Sequence, residues 1–252
     1  MVKERQDNKK RKLKLNLKKF ISFLLVLTGM LLLSYIWFFT DLFHIKSIEF
    51  LDNKKIEEST LKEVSGLTEG DNIFLIKTSD AADNIKSIGY VKEVNIIRVF
   101  PDKLKVYITE RDPVCIVVDG GDYIYVDDQG IVAEVVDHIT VWSLPLVTGL
   151  ENTLSEKYEA KKLGVEPTWV GNNVLGILEV LRDYELSEKV SEINVTKEKQ
   201  LHIYTNGGSI IKVRDKENIE SKIDFLYTYL TENDDRMIVD LTHGGNPTYT
   251  PR

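Results

Sequence analysis

From Phe20 to Phe39 the chain reads FISFLLVLTGMLLLSYIWFF, twenty residues without a charged side chain. No other feature limits the fold as strongly. At ~1.5 Å per residue a helix of this length spans ~30 Å, the thickness of a bilayer's hydrocarbon core. Ser22, Thr28 and Ser34 can return their hydroxyls to the helix backbone, and Tyr35 and Trp37 suit the interface at one end. Residues 1–19 carry nine Lys or Arg against Glu4 and Asp7, a net of +7, and Lys18 and Lys19 stop the apolar run. Positive flanks stay in the cytoplasm, which predicts a single-pass cell-membrane protein with residues 1–19 as a basic cytoplasmic tail. Everything after residue 40 is then expected outside the cytoplasmic membrane. A cleaved signal peptide would want a shorter apolar run and small residues at its exit. The exit here, FFTDLFHIKS, is bulky, so an uncleaved transmembrane helix over 20–39 is expected.

With a formal charge of −7 for the whole chain, residues 40–252 carry −14. An acidic folded part is repelled by phosphates, which argues against nucleic acid as a partner. The only cysteine, Cys115, can form neither an internal disulfide nor a cysteine-rich metal site. The exported part must therefore be held by an ordinary apolar core.

Residues 43–112 predict strand, helix, helix, strand, strand. Ile45 to Phe50 has strand character, and Asp52 and Asn53 are suited to helix entry. Ile56, Thr60, Leu61 and Val64 recur at helical spacing before Gly66, a fitting C′ residue. Ser79 is placed to cap a second helix carrying Ala81, Ala82, Ile85 and Ile88, which Gly89 ends. Val91 to Phe100 is β-rich, and Pro101-Asp102 turns the chain. Leu104, Val106 and Ile108 alternate with Lys105, Tyr107 and Thr109, the period of a strand with one wet face. Glu110-Arg111-Asp112 reads as its charged end.

Residues 113–242 predict a mixed β-rich domain with two helices. Asp119-Gly120-Gly121-Asp122 and Asn206-Gly207-Gly208 are hairpin signals between apolar runs. Val174, Ile177, Leu178 and Leu181 form one helical stripe, and Ile219, Ile223, Leu226 and Leu230 another. The stretch 150–167 reads as a short helix in a longer loop. Arg236 to Thr242 is expected as the last strand, with Met237, Val239 and Leu241 on one face, and 243–252 as a C-terminal tail. The fold class is thus α+β.

FHIKSIEF after a membrane helix, SGLTEGDNIFLI, and above all FPDKLKVYITER over Phe100 to Arg111 resemble the FtsQ/DivIB family of bacterial division proteins. Leu144-Pro145-Leu146-Val147-Thr148-Gly149 resembles an element that recurs in that family. The resemblance implies a POTRA domain over 43–112 and the family's β domain over 113–242. It implies a non-enzymatic division scaffold at the septum, with the small bitopic proteins FtsB/DivIC and FtsL as partners. By the same resemblance the partner-binding residues are Met237, Val239, Asp240, Leu241, Thr242, His243, Gly244 and Tyr249, along a C-terminal edge strand and just beyond it. An edge strand recruits a partner by offering unpaired backbone groups.

The chain shows no phosphate-binding glycine loop, dinucleotide fingerprint, HExxH or GxSxG. His44, His138, His202 and His243 have no paired spacing, and Asp127-Asp128 with Gly130 reads as a solvated turn rather than a calcium loop. No cofactor, metal or small-molecule substrate is expected. Two other functions stand beside the scaffold: a POTRA-type chaperone or transport receptor for exported polypeptides, and an extracytoplasmic hydrolase.

Overall fold

A computed structural model describes residues 17–151, 153–232 and 235–252. The basic tail lies outside the described residues except for its last three positions, as does the Trp37 side chain. The chain forms two compact units. One comprises 1–48, 68–76 and 98–104; the other comprises 49–67, 77–97 and 105–252.

The apolar run is one helix, α1, Leu17–Phe39. It is the one helix among the described residues long and apolar enough to cross a membrane. Thr28 and Thr40 donate their hydroxyls to the carbonyls of Leu24 and Ile36, at 2.8 and 2.6 Å, which removes two polar groups from competition with lipid.

The elements expected of residues 43–112 appear in order: β1 (Ser47–Leu51), α2 (Glu58–Ser65), α3 (Thr78–Lys86), β2 (Val91–Val99) and β3 (Lys103–Glu110). They make a three-stranded sheet with β3 in the middle. Leu104, Val106 and Ile108 are buried, as their alternation requires. Gly66 ends α2 at φ +65°, a conformation a side chain would strain. Asp52 and Asn53 do not enter the helix. Asp52 has φ +67° and Asn53 donates to the Ile56 carbonyl at 2.9 Å, so both shape a turn five residues earlier.

The rest of the chain builds a nine-stranded sheet. Its strands are β4 (Pro113–Asp119), β5 (Asp122–Asp127), β6 (Val132–Val136), β7 (Leu146–Thr148), β10 (Val190–Val195), β11 (Leu201–Thr205), β12 (Ile210–Val213), β13 (Met237–Asp240) and β14 (Thr248–Pro251). The order is β14-β13-β12-β11-β10-β7-β4-β5-β6. One face carries the core, where Val117, Val147, Ile193, Ile203, Ile211 and Val239 meet α4 (Thr168–Asp183) and α6 (Ile223–Glu232). Burying such side chains is worth ~1.5–3 kcal/mol each, which lets this region do without a disulfide.

Three expectations for this region change. The stretch 150–167 holds no helix but a short hairpin, β8 (Leu154–Glu156) and β9 (Gly164–Val165). Its apolar positions are too few for a helical stripe, and pairing decides the outcome. The second stripe is carried by two helices, because α5 (Lys216–Glu220) ends at Ser221 before α6 begins. Beyond residue 242 the chain is not only a tail: β14 pairs antiparallel with β13, so Met237–Asp240 is an interior strand. Thr248-Tyr249-Thr250 has no apolar alternation to announce a strand.

Candidate functional site

The two margins of the large sheet are treated differently. At the β6 margin the segment before β9 folds back: Val132 N–H donates to the Lys161 carbonyl at 2.8 Å, and Ala160 N–H donates to the Val132 carbonyl at 2.9 Å. This pairing is what the 150–167 stretch contributes at that margin. At the β14 margin no further strand follows among the described residues.

Register shows which β14 groups are free. Arg252 N–H donates to the Arg236 carbonyl at 3.2 Å. Hydrogen-bonded pairs alternate along an antiparallel ladder, so Ile238 with Thr250 and Asp240 with Thr248 are also bonded pairs. Tyr249 and Pro251 therefore turn their backbone groups outward. Pro251 has no N–H, and two positions before Tyr249 stands Pro247, which also has none. Among the described residues the strand offers one outward donor, Tyr249 N–H, beside the Tyr249 and Pro251 carbonyls. Prolines at such positions blunt an edge against indiscriminate pairing.

The Tyr249 side chain lies over the helical face. Its ring is 5.8 Å from Phe225, edge-on, and 6.5 Å from Tyr229. Phe225 and Tyr229 stack at 5.9 Å. Together with Thr228, Asp235 and Met237 these rings line an open hollow of ≈ 330 Å³. Tyr229 is fixed from below: its hydroxyl and the Ser209 hydroxyl are 2.8 Å apart, and Ser209 Oγ accepts from Met237 N–H at 3.2 Å. Tyr249 itself is half-exposed.

The loop after β13 is pinned. Asn218 Nδ2 and Lys222 Nζ both donate to the Leu241 carbonyl at 2.7 Å, and Lys222 also reaches the His243 carbonyl. Asp240 Oδ1 accepts from Thr242 N–H at 2.8 Å and from its hydroxyl at 2.6 Å. Burial alone would raise the Asp240 pKa; the Thr242 hydrogen bonds, with His243 and Lys212 nearby, outweigh it and hold the carboxyl below its ordinary value.

The eight residues expected at the partner site thus separate. Val239 and Leu241 are fully buried in the core and cannot meet a partner with their side chains. Met237 is half-buried on the rim of the hollow, and Asp240 and Thr242 bond to each other. His243, Gly244 and Tyr249 are exposed. Phe225, Tyr227 and Tyr229 suggest a binding face in the sequence itself; sequence reasoning missed that Tyr249 joins Phe225 and Tyr229, and that the edge lies one strand further on. The sequence signal was the pair of prolines bracketing a Thr-Tyr-Thr.

Elsewhere, two charged clusters are structural. Arg111 Nη1 donates to Asp127 Oδ2 at 2.6 Å, with both side chains largely buried. Asp127 Oδ1 also accepts from Gln129 and Ile131 N–H, at 2.9 and 2.8 Å, so this aspartate is no solvated turn. Glu110 accepts from the backbone N–H groups of Lys54, Lys55 and Ile56 at 2.8–3.0 Å. Burial, then a 2.9 Å hydrogen bond to Glu134, pushes the Tyr90 hydroxyl well above its ordinary pKa. The Cys115 thiol is pushed up to about 12 by burial. Among the described residues no three His, Cys, Asp or Glu side chains gather where they could hold a metal.

Comparison with known proteins agrees with this architecture. Residues 43–111 match the model of the POTRA domain, FtsQ-type, and residues 115–242 match that of the cell division protein FtsQ/DivIB C-terminal region. The cell division protein DivIB of Clostridium botulinum (strain Hall) is 27% identical over 211 residues, covering 82% of this chain and 81% of that protein. DivIB of Clostridium acetobutylicum is 25% identical over 215 residues, covering 82% and 83%. The major extracytoplasmic domain of DivIB from Geobacillus stearothermophilus aligns with 50% of this chain and 98% of its own, at 12% identity and a TM-score of 0.33.

Proposed function

We propose, for a chain that belongs to the FtsQ/DivIB family of bacterial cell division proteins, a non-enzymatic scaffold role at the division septum. In this reading α1 anchors the protein in the cytoplasmic membrane, the amino terminus stays in the cytoplasm, and residues after 40 work outside. The partners are the bitopic division proteins FtsB/DivIC and FtsL, and the contact supports septum formation.

The observation that carries the reading is the uncovered β14 margin with its aromatic hollow. A partner segment laid along β14 gains the Tyr249 N–H and two carbonyls, and an apolar side chain of that segment has the Phe225–Tyr229–Tyr249 hollow to fill. A backbone edge this short gives register more than affinity, so the aromatic anchor supplies most of the binding. Of the residues proposed from sequence, Tyr249, His243, Gly244 and Met237 remain contact candidates. Asp240 and Thr242 support the strand, and Val239 and Leu241 act only through the core.

Co-purification from membranes tests it. The full chain should retain FtsB/DivIC and FtsL from its own bacterium after detergent extraction. The chain lacking Pro247–Arg252 should lose them while its circular dichroism and unfolding midpoint stay near those of the full chain. Undiminished capture by the shortened chain would refute the placement.

A further inference from the structure

The unit that contains α1 carries a second exposed apolar cluster. Leu42, Leu75 and Phe100 are 50%, 66% and 55% exposed, high values for large apolar side chains, on a short 3-10 helix and two loops. Between them sit Phe43 and Phe74. The Phe43 and Phe74 rings are 5.1 Å apart, edge-on, and Phe74 stacks on Phe100 at 5.0 Å. The patch is therefore continuous.

It is also held in place. Ile73 N–H donates to the Phe43 carbonyl at 2.9 Å. Arg98 donates from Nε to the Ile73 carbonyl at 2.8 Å and from Nη2 to the Ile76 carbonyl at 2.9 Å. The loop that presents Phe74 and Leu75 is clamped at both ends by one guanidinium. Lys46, 2.8 Å from Asp102, secures the turn that follows Phe100. A rigid apolar patch kept turned outward fits a surface that it meets.

Chain length says which surface. Leu42 stands three residues beyond Phe39, the last residue of α1, so it lies at most ~11 Å from the helix end. At 23 residues α1 is ~34 Å long, enough to carry that end into the headgroup layer, which is itself ~5–8 Å thick. Leu42 cannot leave the neighbourhood of the bilayer, and Phe43 follows it directly, linked through ring contacts to Phe74 and Phe100. Aromatic rings favour this interfacial depth. We infer that Leu42, Phe43, Phe74, Leu75 and Phe100 form a lipid-contacting patch that seats this unit on the bilayer surface beside its own anchor. The partner is the lipid interface, and the inference rests on α1 being a membrane anchor.

Fluorophore labelling of the full chain in vesicles of phosphatidylcholine and phosphatidylglycerol tests it. Cys115 is buried, so single variants Leu75→Cys, Phe100→Cys and, within the helix, Leu32→Cys can each be labelled selectively. The vesicles carry a lipid spin-labelled near the headgroup end of its acyl chain. Labels at positions 75 and 100 should be quenched several-fold by that lipid and shielded from aqueous iodide. A label at 75 and at 100 quenched by iodide as fully as free dye, with no loss to the spin-labelled lipid, overturns the patch. If position 32 is quenched by the lipid in that same experiment, the anchor stands and only the patch falls. If position 32 is also unquenched, the anchor reading falls with it.

Discussion

Two aromatic clusters among the described residues, one around Phe43, Phe74 and Phe100 and one around Phe225, Tyr229 and Tyr249, differ in what lies beside them. Around Phe43, Phe74 and Phe100 the 73–76 loop is clamped by Arg98. Phe100 follows β2, an outer strand of the small sheet, so what sets this cluster apart is that Phe43 stands four residues beyond the end of α1. Around Phe225, Tyr229 and Tyr249 the rings adjoin a sheet margin whose outward backbone groups have no strand to meet among the described residues. Lipid needs only apolar area; a polypeptide partner needs area plus register. In this reading the first cluster meets the bilayer beside α1, and the second meets a protein.

The largest effect should come from Tyr249→Pro. The Tyr249 N–H faces away from β13, so proline leaves the β13–β14 ladder whole while removing the outward donor and the ring. Partner capture should be lost altogether, and lipid quenching at position 75 should be unchanged. Loss of both would break the contrast.

Arg111→Ala should come next, on stability. It strands the Asp127 carboxylate, which is 1% exposed, and orphaning a buried charge costs ~3–5 kcal/mol. Urea unfolding should show a lower midpoint, whereas Lys105→Ala, which removes an exposed pair with Glu49 at 3.8 Å, should change it by under ~0.5 kcal/mol.

Tyr249→Ala keeps the outward donor and removes only the ring. A central aromatic anchor is worth ~2 kcal/mol, or about thirty-fold in affinity. Titration of the purified chain with its partner, compared with Tyr249→Pro, then separates the ring's share from that of the backbone.

The smallest effect concerns acid. The folded pKa of Asp240 is lowered, so its contribution to stability is present above the unfolded value of about 4 and is lost as pH falls through the lower folded value. Asp240→Asn should reduce the pH dependence of the unfolding midpoint below about pH 4 and leave it unaltered near neutrality. A variant whose acid profile matches the parent's would show that the Thr242 hydrogen bonds do not favour the carboxylate.

Much of this fold was written in local pattern. Leu104, Val106 and Ile108 announce a central strand by alternation, and Val174, Ile177, Leu178 and Leu181 announce α4 by helical spacing. Gly66 marks the end of α2 because the chain there needs a positive φ. What stayed hidden depends on distant pairing. Nothing in 150–167 says that it will pair with the start of β6, since Lys161 meets Val132 only in the folded sheet. The ion pair of Arg111 with Asp127 spans sixteen residues, and each looks like an ordinary surface charge by itself. The edge was displaced by one strand for the same reason: Thr248 to Pro251 are all exposed, so β14 exists through its ladder with β13 and not through any apolar period. The candidate site was therefore legible in its neighbourhood but not in its outermost strand.

Hydrogen exchange at the Tyr249 amide tests the central claim most directly. In the free chain this amide should exchange quickly, while the Thr250 amide, turned into the ladder, exchanges slowly. With FtsB/DivIC and FtsL bound, Tyr249 should slow by at least about tenfold, the signature of a new backbone hydrogen bond. A complex that forms with the Tyr249 amide still exchanging as fast as in the free chain would contradict the account.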